Sequence, residues 1–378
     1  MPAIIRQPDT YQKLEILSGD AQYDLACACG KSENGRTRGT DGNWIYPITL
    51  PNGGSSVLFR TLVSNVCNND CKYCPLRENR DVRRCSLTPE QTAEAFLDYY
   101  RRRKVFGLFL SSGVTGTPDI AMARLISTAE ILRKRYEYRG YIHLKIIPGA
   151  SKAAIERAVS LSSAVSLNIE TPGAGNFAKL SDKKDYLKDI IDPIKYISEI
   201  TAKGSAHSRV KQTTQFIVGA AGESDSQIVQ YMGGLYDRLN MHRVFFSAYQ
   251  RGLGESSLPG ENTPQIDGQE KFVREHRLYQ VDYLLRKYGF TSEEIEYDSP
   301  GRLSVNFDPK EFWASRHPEF FPVNVNTADK LRLLRVPGLG HITVNNLLKR
   351  RSEQRLRELS DIGKVTALLK KAAPFITF

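Results

Sequence analysis

Residues 66–74 read V-C-N-N-D-C-K-Y-C and place Cys67, Cys71 and Cys74 in a C-x3-C-x2-C run. Thiols this close can share a metal, exchange disulfides or simply occupy a loop. Structural zinc takes four protein ligands in a tetrahedron, so zinc would need a fourth donor from Cys85, a histidine or an aspartate. An iron–sulfur cluster also normally takes four thiolates, and three leave one iron open to another ligand. The six histidines are scattered and form no metal-binding spacing. Cys27 and Cys29, a C-A-C pair in a glycine-rich stretch, and Cys85 stand apart from the run, as candidates for a further ligand or a hydrogen donor.

The surrounding pattern decides what kind of loop this is. S-V-L-F-R-T-L-V-S, 56–64, is a strand candidate that runs straight into the cysteines. Beyond them, Thr88 with Pro89 and Gln91 forms a capping box with proline at the first helical position, which predicts a helix to about Lys104. Strands follow at 106–112, 141–147, 164–170, 210–218 and 243–249. Helices alternate with them: 121–135, from Lys152, 185–202, 224–239 and 267–289. Six strand–helix units in series imply an α/β fold with a parallel sheet and right-handed crossovers. Periodicity alone does not separate a doubly wound sheet from a barrel. In either, functional loops gather at the C-terminal ends of the strands, where the cysteine loop lies.

The domains expected are an irregular extension over 1–55, an α/β body over 56–300, a linker over 301–322 and a helical domain over 323–378. R-L-S-V-N-F, 302–307, reads as an added strand and H-P-E-F-F-P, 317–322, as a linker turn; the remainder shows no strand signal.

With 378 residues and 40% hydrophobic content, the chain can bury a large core. It has no run of ~18 apolar residues and no basic-then-apolar leader, so a cytoplasmic protein is expected, with no membrane association. A reducing cytosol makes disulfides a poor explanation for the cysteines. The net charge of +11 is uneven: residues 320–378 hold 11 Lys and Arg against 4 Asp and Glu. A basic tail on a near-balanced body suggests a polyanionic partner, although a solvated basic surface would read the same way.

The tail has a pattern of its own. Leu331, Leu334 and Val336 close a short helix; Pro337, Gly338, Leu339 and Gly340 make a tight turn; Ile342, Leu347 and Leu348 return on a second helix. This resembles the helix-hairpin-helix DNA-binding motif. Gly338 and Gly340 would let backbone N–H groups approach a phosphate, with Lys349, Arg350 and Arg351 extending the contact. D-I-G-K, 361–364, resembles a weaker second copy. A hairpin used only for packing or protein contacts is the alternative.

The cysteine run, with Tyr73 before Cys74, resembles the signature of the radical S-adenosylmethionine enzymes. The resemblance, over roughly 55–290, implies a partial (β/α)6 TIM-like barrel, to which the tail adds a small all-α helix-hairpin-helix domain. It implies a [4Fe–4S] cluster on Cys67, Cys71 and Cys74, whose open iron is chelated by S-adenosylmethionine. Reductive cleavage of that cofactor gives a 5′-deoxyadenosyl radical that abstracts hydrogen from substrate, with electrons from a reductase, flavodoxin or ferredoxin.

Family elements map onto Ser112 and Gly113 as the glycine-rich turn for the methionine amino group, although Val114 stands where an acidic residue is usual. Asn168 and Glu170, with Ser166 on one face of a strand by period 2, would suit the ribose and the methionine carboxylate. Lys145 is a weaker candidate of the same kind. Gly219 matches the glycine motif near the adenine. Tyr249 would line the adenine or substrate pocket or pack in the core.

The barrel and tail together resemble radical S-adenosylmethionine proteins assigned to DNA modification or repair, which are associated with a uracil-DNA-glycosylase-like partner. The rival readings are a radical enzyme acting on transfer RNA or another RNA, and a non-catalytic DNA-binding scaffold with a structural metal.

Overall fold

The computed structural model describes residues 8–21, 44–49, 55–262 and 270–378. Cys27 and Cys29 lie outside the described residues. The chain divides into two units, Met1–Glu223 with Asp237–Ile266, and Ser224–Tyr236 with Asp267–Phe378.

The first unit is built on one seven-stranded sheet. Its strands are β1 (Ile45–Thr49), β2 (Ser55–Leu62), β3 (Gly107–Ser111), β4 (Tyr141–Lys145), β5 (Ala164–Ser166), β6 (Lys211–Val218) and β7 (Arg243–Ala248). They lie in sequential order. β1 is antiparallel to β2, and β2 to β7 are parallel throughout.

That order resolves the choice left open by periodicity. A doubly wound sheet reverses its strand order and so places helices on both faces. Here the order never reverses, so right-handed crossovers carry every helix to the same face and the sheet curls with the helices outside. The first and last strands do not pair, so the barrel is partial. Register identifies the two faces. Phe59 packs on Phe96 of a helix, with ring centroids 5.9 Å apart, and Leu108 and Ile142 stand in register with it on the helix side. Arg60, Phe109 and His143 share the concave face.

The helices are α1 (Thr10–Asp20), α2 (Pro89–Arg101), α3 (Pro118–Glu130), α4 (Lys152–Leu161), α5 (Ala174–Phe177), α6 (Asp192–Ile200), α7 (Asp225–Leu239) and α8 (Pro259–Asn262). α2 carries the expected capping box of Thr88 and Gln91. α1 and β1 correct the expectation that 1–55 is irregular. α1 is capped by Asp9 and Gln12 but has little amphipathic periodicity, with only Leu14, Leu17 and Ser18 buried. β1 carries Pro47, which is tolerated because β1 is an edge strand. β5 is shorter than expected. Beyond Ser166 the Thr214 hydroxyl intervenes, donating to the Leu167 carbonyl (2.8 Å) and accepting from the Ile169 N–H (2.9 Å). Pairing resumes only at an isolated bridge between Glu170 and Phe216.

The second unit holds the first part of α7, then α9 (Glu270–Tyr288), α10 (Pro309–Arg316), β8 (Val323–Asn324), α11 (Lys330–Leu334), α12 (His341–Glu353), α13 (Leu359–Ile362), α14 (Ala367–Ala372) and β9 (Ile376–Thr377). The strand expected at 302–307 does not form; Arg302 makes only an isolated bridge to Ser299. Conversely, β8 and β9 pair in parallel within the segment expected to lack strands, at two residues each too short to leave a pattern.

The turn between α11 and α12 is held from within the unit. Lys310 is buried, its amine donating to the carbonyls of Leu334 (3.0 Å) and Leu339 (2.6 Å). Burial pushes it down to about 7, against the opposing pull of Asp308. Gly338 has φ 82°, and a Cβ there would collide with the Leu368 carbonyl oxygen and sit 3.0 Å from the Ala372 nitrogen. Gly340 has negative φ (−97°) and meets nothing closer than the Tyr288 hydroxyl at 3.5 Å. Gly338→Ala is therefore expected to destabilise this unit by about 2 kcal/mol or more, and Gly340→Ala by less than about 1 kcal/mol. Denaturant unfolding of both variants, followed by a probe in the second unit, checks the difference; equal losses would contradict it.

Candidate cluster and cofactor site

The loop after β2 leaves the sheet through residues that are tied down one by one. Asn65 is fully buried. Its amide nitrogen donates to Asp20 (2.7 Å) and to the Arg83 carbonyl (2.8 Å), and its side-chain oxygen accepts from the Cys85 N–H (2.7 Å). The Arg84 guanidinium donates to the carbonyls of Asn65, Leu76, Arg77 and Arg80, closing the irregular loop on itself. Arg77 bridges the carbonyls of Cys74 (2.9 Å) and Leu253 (3.0 Å). Gly113 lies where no Cβ fits, against the Val66 carbonyl, and its N–H donates to the Ser64 carbonyl (2.7 Å). A glycine at this strand end is thus required by the approach of the cysteine loop.

Cys67, Cys71 and Cys74 all line one cavity of about 1130 Å³, open mouth included, at the C-terminal ends of the strands. Each sulfur accepts an N–H. The Val114 amide points to Cys67 Sγ (3.5 Å), the Lys184 ammonium to Cys71 Sγ (3.1 Å) and the Leu76 amide to Cys74 Sγ (3.4 Å). Burial raises the Cys71 thiol, opposed by Lys184, and raises Cys74 strongly. Buried thiols of this kind carry charge comfortably only when a metal takes it up. Lys184 is held charged by Cys71 and Glu170, against the cost of burial.

Lys184 reaches the site through Asp70. The Asp70 carboxylate accepts from the N–H groups of Asp182 (2.7 Å) and Lys183 (3.1 Å) and from the Ser181 hydroxyl. Burial would raise its pKa, but these hydrogen bonds outweigh it and keep the group below its ordinary value.

Asn168 and Glu170, both buried, line the same cavity as the cysteines. The Tyr73 hydroxyl donates to Glu170 Oε1 (2.8 Å), and the Asn168 amide lies 3.4 Å from Oε2. Glu170 has φ 65°, an uncommon backbone for a non-glycine residue, held by backbone bonds to Gln215 and Ile217. Ser112, Gly113, Lys145 and Tyr249 also line the cavity. The Ser112 hydroxyl is turned onto the Gly113 carbonyl (2.8 Å), and the Tyr249 hydroxyl donates to Glu261.

Gly219 follows β6 with φ 96°, its N–H held by the Glu223 carboxylate, and is not among the lining residues. Ser166 is buried on the concave face but does not reach the cavity lining. Cys85 is not among the lining residues either; its thiol sits 3.9 Å from the Lys13 carbonyl.

In the second unit, Gly338 is committed to close packing against α14. Arg351 donates to the carbonyls of Val325 (3.1 Å) and Ala328 (2.6 Å), and Arg350 to that of Asp361 (3.1 Å). Of the three expected phosphate contacts, Lys349 is exposed, and among the described residues its ammonium makes no hydrogen bond or ion pair. Lys184, Asp70 and Arg84 are the residues that sequence reading missed. Lys184 meets Cys71 across 113 positions, and no local pattern marks such a pairing.

The donor set fits a multinuclear cluster. Among the described residues, no three His, Cys, Asp or Glu side chains converge tightly enough to hold a single metal ion. The three thiols line a common cavity, and three such thiolates suit an iron–sulfur cluster with one iron left open. Cys67, Cys71 and Cys74 would hold such a cluster, with Asn168 and Glu170 lining the same cavity.

Comparison with known proteins accords with this site. Residues 61–233 match the family model described as the Radical SAM superfamily. No curated protein matches the chain. Similar solved structures include the FeFe-hydrogenase maturase HydG from Carboxydothermus hydrogenoformans, at 17% identity over 58% of this chain and 51% of that one, with a TM-score of 0.45. Methylornithine synthase (PylB) aligns at 15% identity over 60% of this chain and 63% of its own, TM-score 0.45. SuiB from Streptococcus suis aligns at 14% over 62% and 48%, TM-score 0.44. The chain thus spans between 48% and 63% of the length of these structures. No helix among the described residues is long and apolar enough to cross a membrane. Residues 61–233 thus match a radical S-adenosylmethionine superfamily domain, a family of enzymes whose cofactors are a [4Fe–4S] cluster and S-adenosylmethionine.

Proposed function

We propose that the chain cleaves S-adenosylmethionine reductively and directs the radical so formed to hydrogen abstraction from a nucleic acid, namely DNA, in modification or repair. The observation that carries the catalytic half is the gathering of three sulfurs, each accepting an N–H, in one cavity that a paired amide and carboxylate also line. When bound, the cluster and cofactor supply one-electron cleavage of a sulfonium C–S bond.

The protein's part is placement. Lys184 and the amides of Val114 and Leu76 spread the negative charge of the thiolates, which favours the more reduced, more negative state of anything they hold. Glu170, oriented by Tyr73, and Asn168 offer acceptors and donors for the amino and hydroxyl groups of a nucleoside amino acid. The buried walls Leu62, Ile146 and Ile147 keep stray hydrogen donors and water from the reacting region.

The nucleic-acid half rests on the basic tail and on the glycine turn between α11 and α12. Gly338 is required for packing against α14, and the further support is the exposed Lys349 and Lys364 and the N-terminus of α12 behind Gly340. Chemistry on a base would need a single-stranded or extruded nucleotide.

Cys67→Ala, Cys71→Ala and Cys74→Ala are each expected to lose the brown chromophore after anaerobic reconstitution and to lower 5′-deoxyadenosine formation to background. Iron and sulfide assay with chromatography of the products checks this, and a full cluster in any one variant counts against the assignment.

The double variant Lys349→Ser/Lys364→Ser is expected to weaken duplex DNA binding and reduce the slope of log affinity against log salt by about 2, with cofactor cleavage intact. Anisotropy titrations with duplex DNA and duplex RNA check it. Tighter binding of RNA would move the substrate to RNA, and an unchanged slope would remove the hairpin from the account.

A further inference from the structure

The parallel register that gathers the cysteine loop at one end of the barrel gathers a different set of loops at the other. Residues 102–106, 136–140, 162–163, 201–210 and 240–242 lead into β3, β4, β5, β6 and β7 in turn. They carry six exposed cations, Arg102, Arg103, Lys104, Arg139, Lys203 and Arg209, against one carboxylate, Glu137. The loops at the cysteine end mix the two signs, with Asp70, Glu78, Asp182 and Glu255 among their cations. The charge of this unit is therefore polarised along the strand direction, away from the cavity.

The loops form one continuous surface. The Tyr138 hydroxyl donates to the Phe106 carbonyl (3.1 Å), joining the first to the second. The Arg133 guanidinium links the carbonyls of Gly140 (2.9 Å) and Leu161 (2.9 Å), carrying the surface towards the third. The Lys211 N–H donates to the Ser163 carbonyl (3.2 Å) and the His242 N–H to the Gln212 carbonyl (2.9 Å), which completes the sequence. Aromatic rings stand among the charges. Tyr136 has the Arg101 guanidinium 5.9 Å from its centroid and that of Arg135 5.5 Å away, and Tyr100 is 39% exposed. Arg102 is paired with Asp98 (2.9 Å), and among the described residues Arg103, Arg139, Lys203 and Arg209 pair with no carboxylate.

Cations spread over three of these loops, 102–106, 136–140 and 201–210, do not converge on one small anion. They match the repeated charges of a polynucleotide backbone, and arginine beside tyrosine suits bases or sugars between the phosphates. An acidic electron-donor protein fits less well, because it must approach the cysteines, and a strand of six residues separates the two ends by roughly 20 Å.

We propose that this end of the barrel is a phosphate-backbone platform that holds a nucleic-acid chain at a distance from the reacting cavity. The proposal rests on the nucleic-acid reading above and adds a second contact surface, independent of the α11–α12 turn.

The test is the triple variant Arg103→Ser/Arg139→Ser/Arg209→Ser in the full-length holoprotein. None of these side chains lines the cysteine cavity. Labelled duplex DNA, single-stranded DNA and duplex RNA are titrated by anisotropy over a range of salt. For duplex DNA the slope of log affinity against log salt should fall by about 2 to 3, with at least a tenfold loss of affinity at low salt. Iron content and 5′-deoxyadenosine formation without nucleic acid should match the parent protein. A parent that binds duplex DNA with a salt slope the triple variant leaves unchanged overturns the platform and leaves the nucleic-acid reading standing. A parent that binds none of the three probes overturns both.

Discussion

The carboxylate of Asp70 is the contact on which the cysteine site depends. A loop that must present three sulfurs to one cavity cannot be helix or strand, so its shape has to come from side chains. Asp70 sits between Cys67 and Cys71 and binds the turn at 181–183. That grip brings Lys184 onto Cys71 and places a positive charge where negative sulfurs collect. Arg84 does the complementary job inside the loop by gathering four of its carbonyls. One half-buried anion and one cation thus replace the backbone ladder that a regular element would supply.

The sheet explains why this is enough. Strand order never reverses, so every loop after a parallel strand opens at the same end. Cys67 after β2, Ser112 and Gly113 after β3, and Asn168 and Glu170 after β5 meet in one cavity although they lie far apart in sequence. The same topology sorts charge: the cysteine end balances its ions, while the opposite end accumulates arginine and lysine.

Much of this was legible in the sequence. The capping box at Thr88 and Gln91 marks α2, and the alternation of strand and helix candidates marks the parallel sheet. The cysteine spacing marks the site itself. What sequence could not supply were contacts between distant segments. The break after Ser166 comes from the hydroxyl of Thr214 on a neighbouring strand, and Lys184 is indistinguishable from Lys183 until Asp70 fixes the turn. α1 and β1 went unread because the first buries only three residues and the second is an edge strand with proline. In the tail, the glycine pattern suggests phosphate approach, and what it does not disclose is that the backbone of α14 fills the space a Cβ at Gly338 would need.

The central claim is a cube of iron and sulfide held at three corners by Cys67, Cys71 and Cys74, with its fourth iron free for the cofactor. Electron paramagnetic resonance of the dithionite-reduced, anaerobically reconstituted protein tests it most directly when recorded before and after adding S-adenosylmethionine. The account predicts a [4Fe–4S] signal whose g-values shift on addition, because the cofactor binds the open iron. A signal indifferent to the cofactor would mean a fourth protein ligand, and zinc in place of iron would mean a structural site; either contradicts the account.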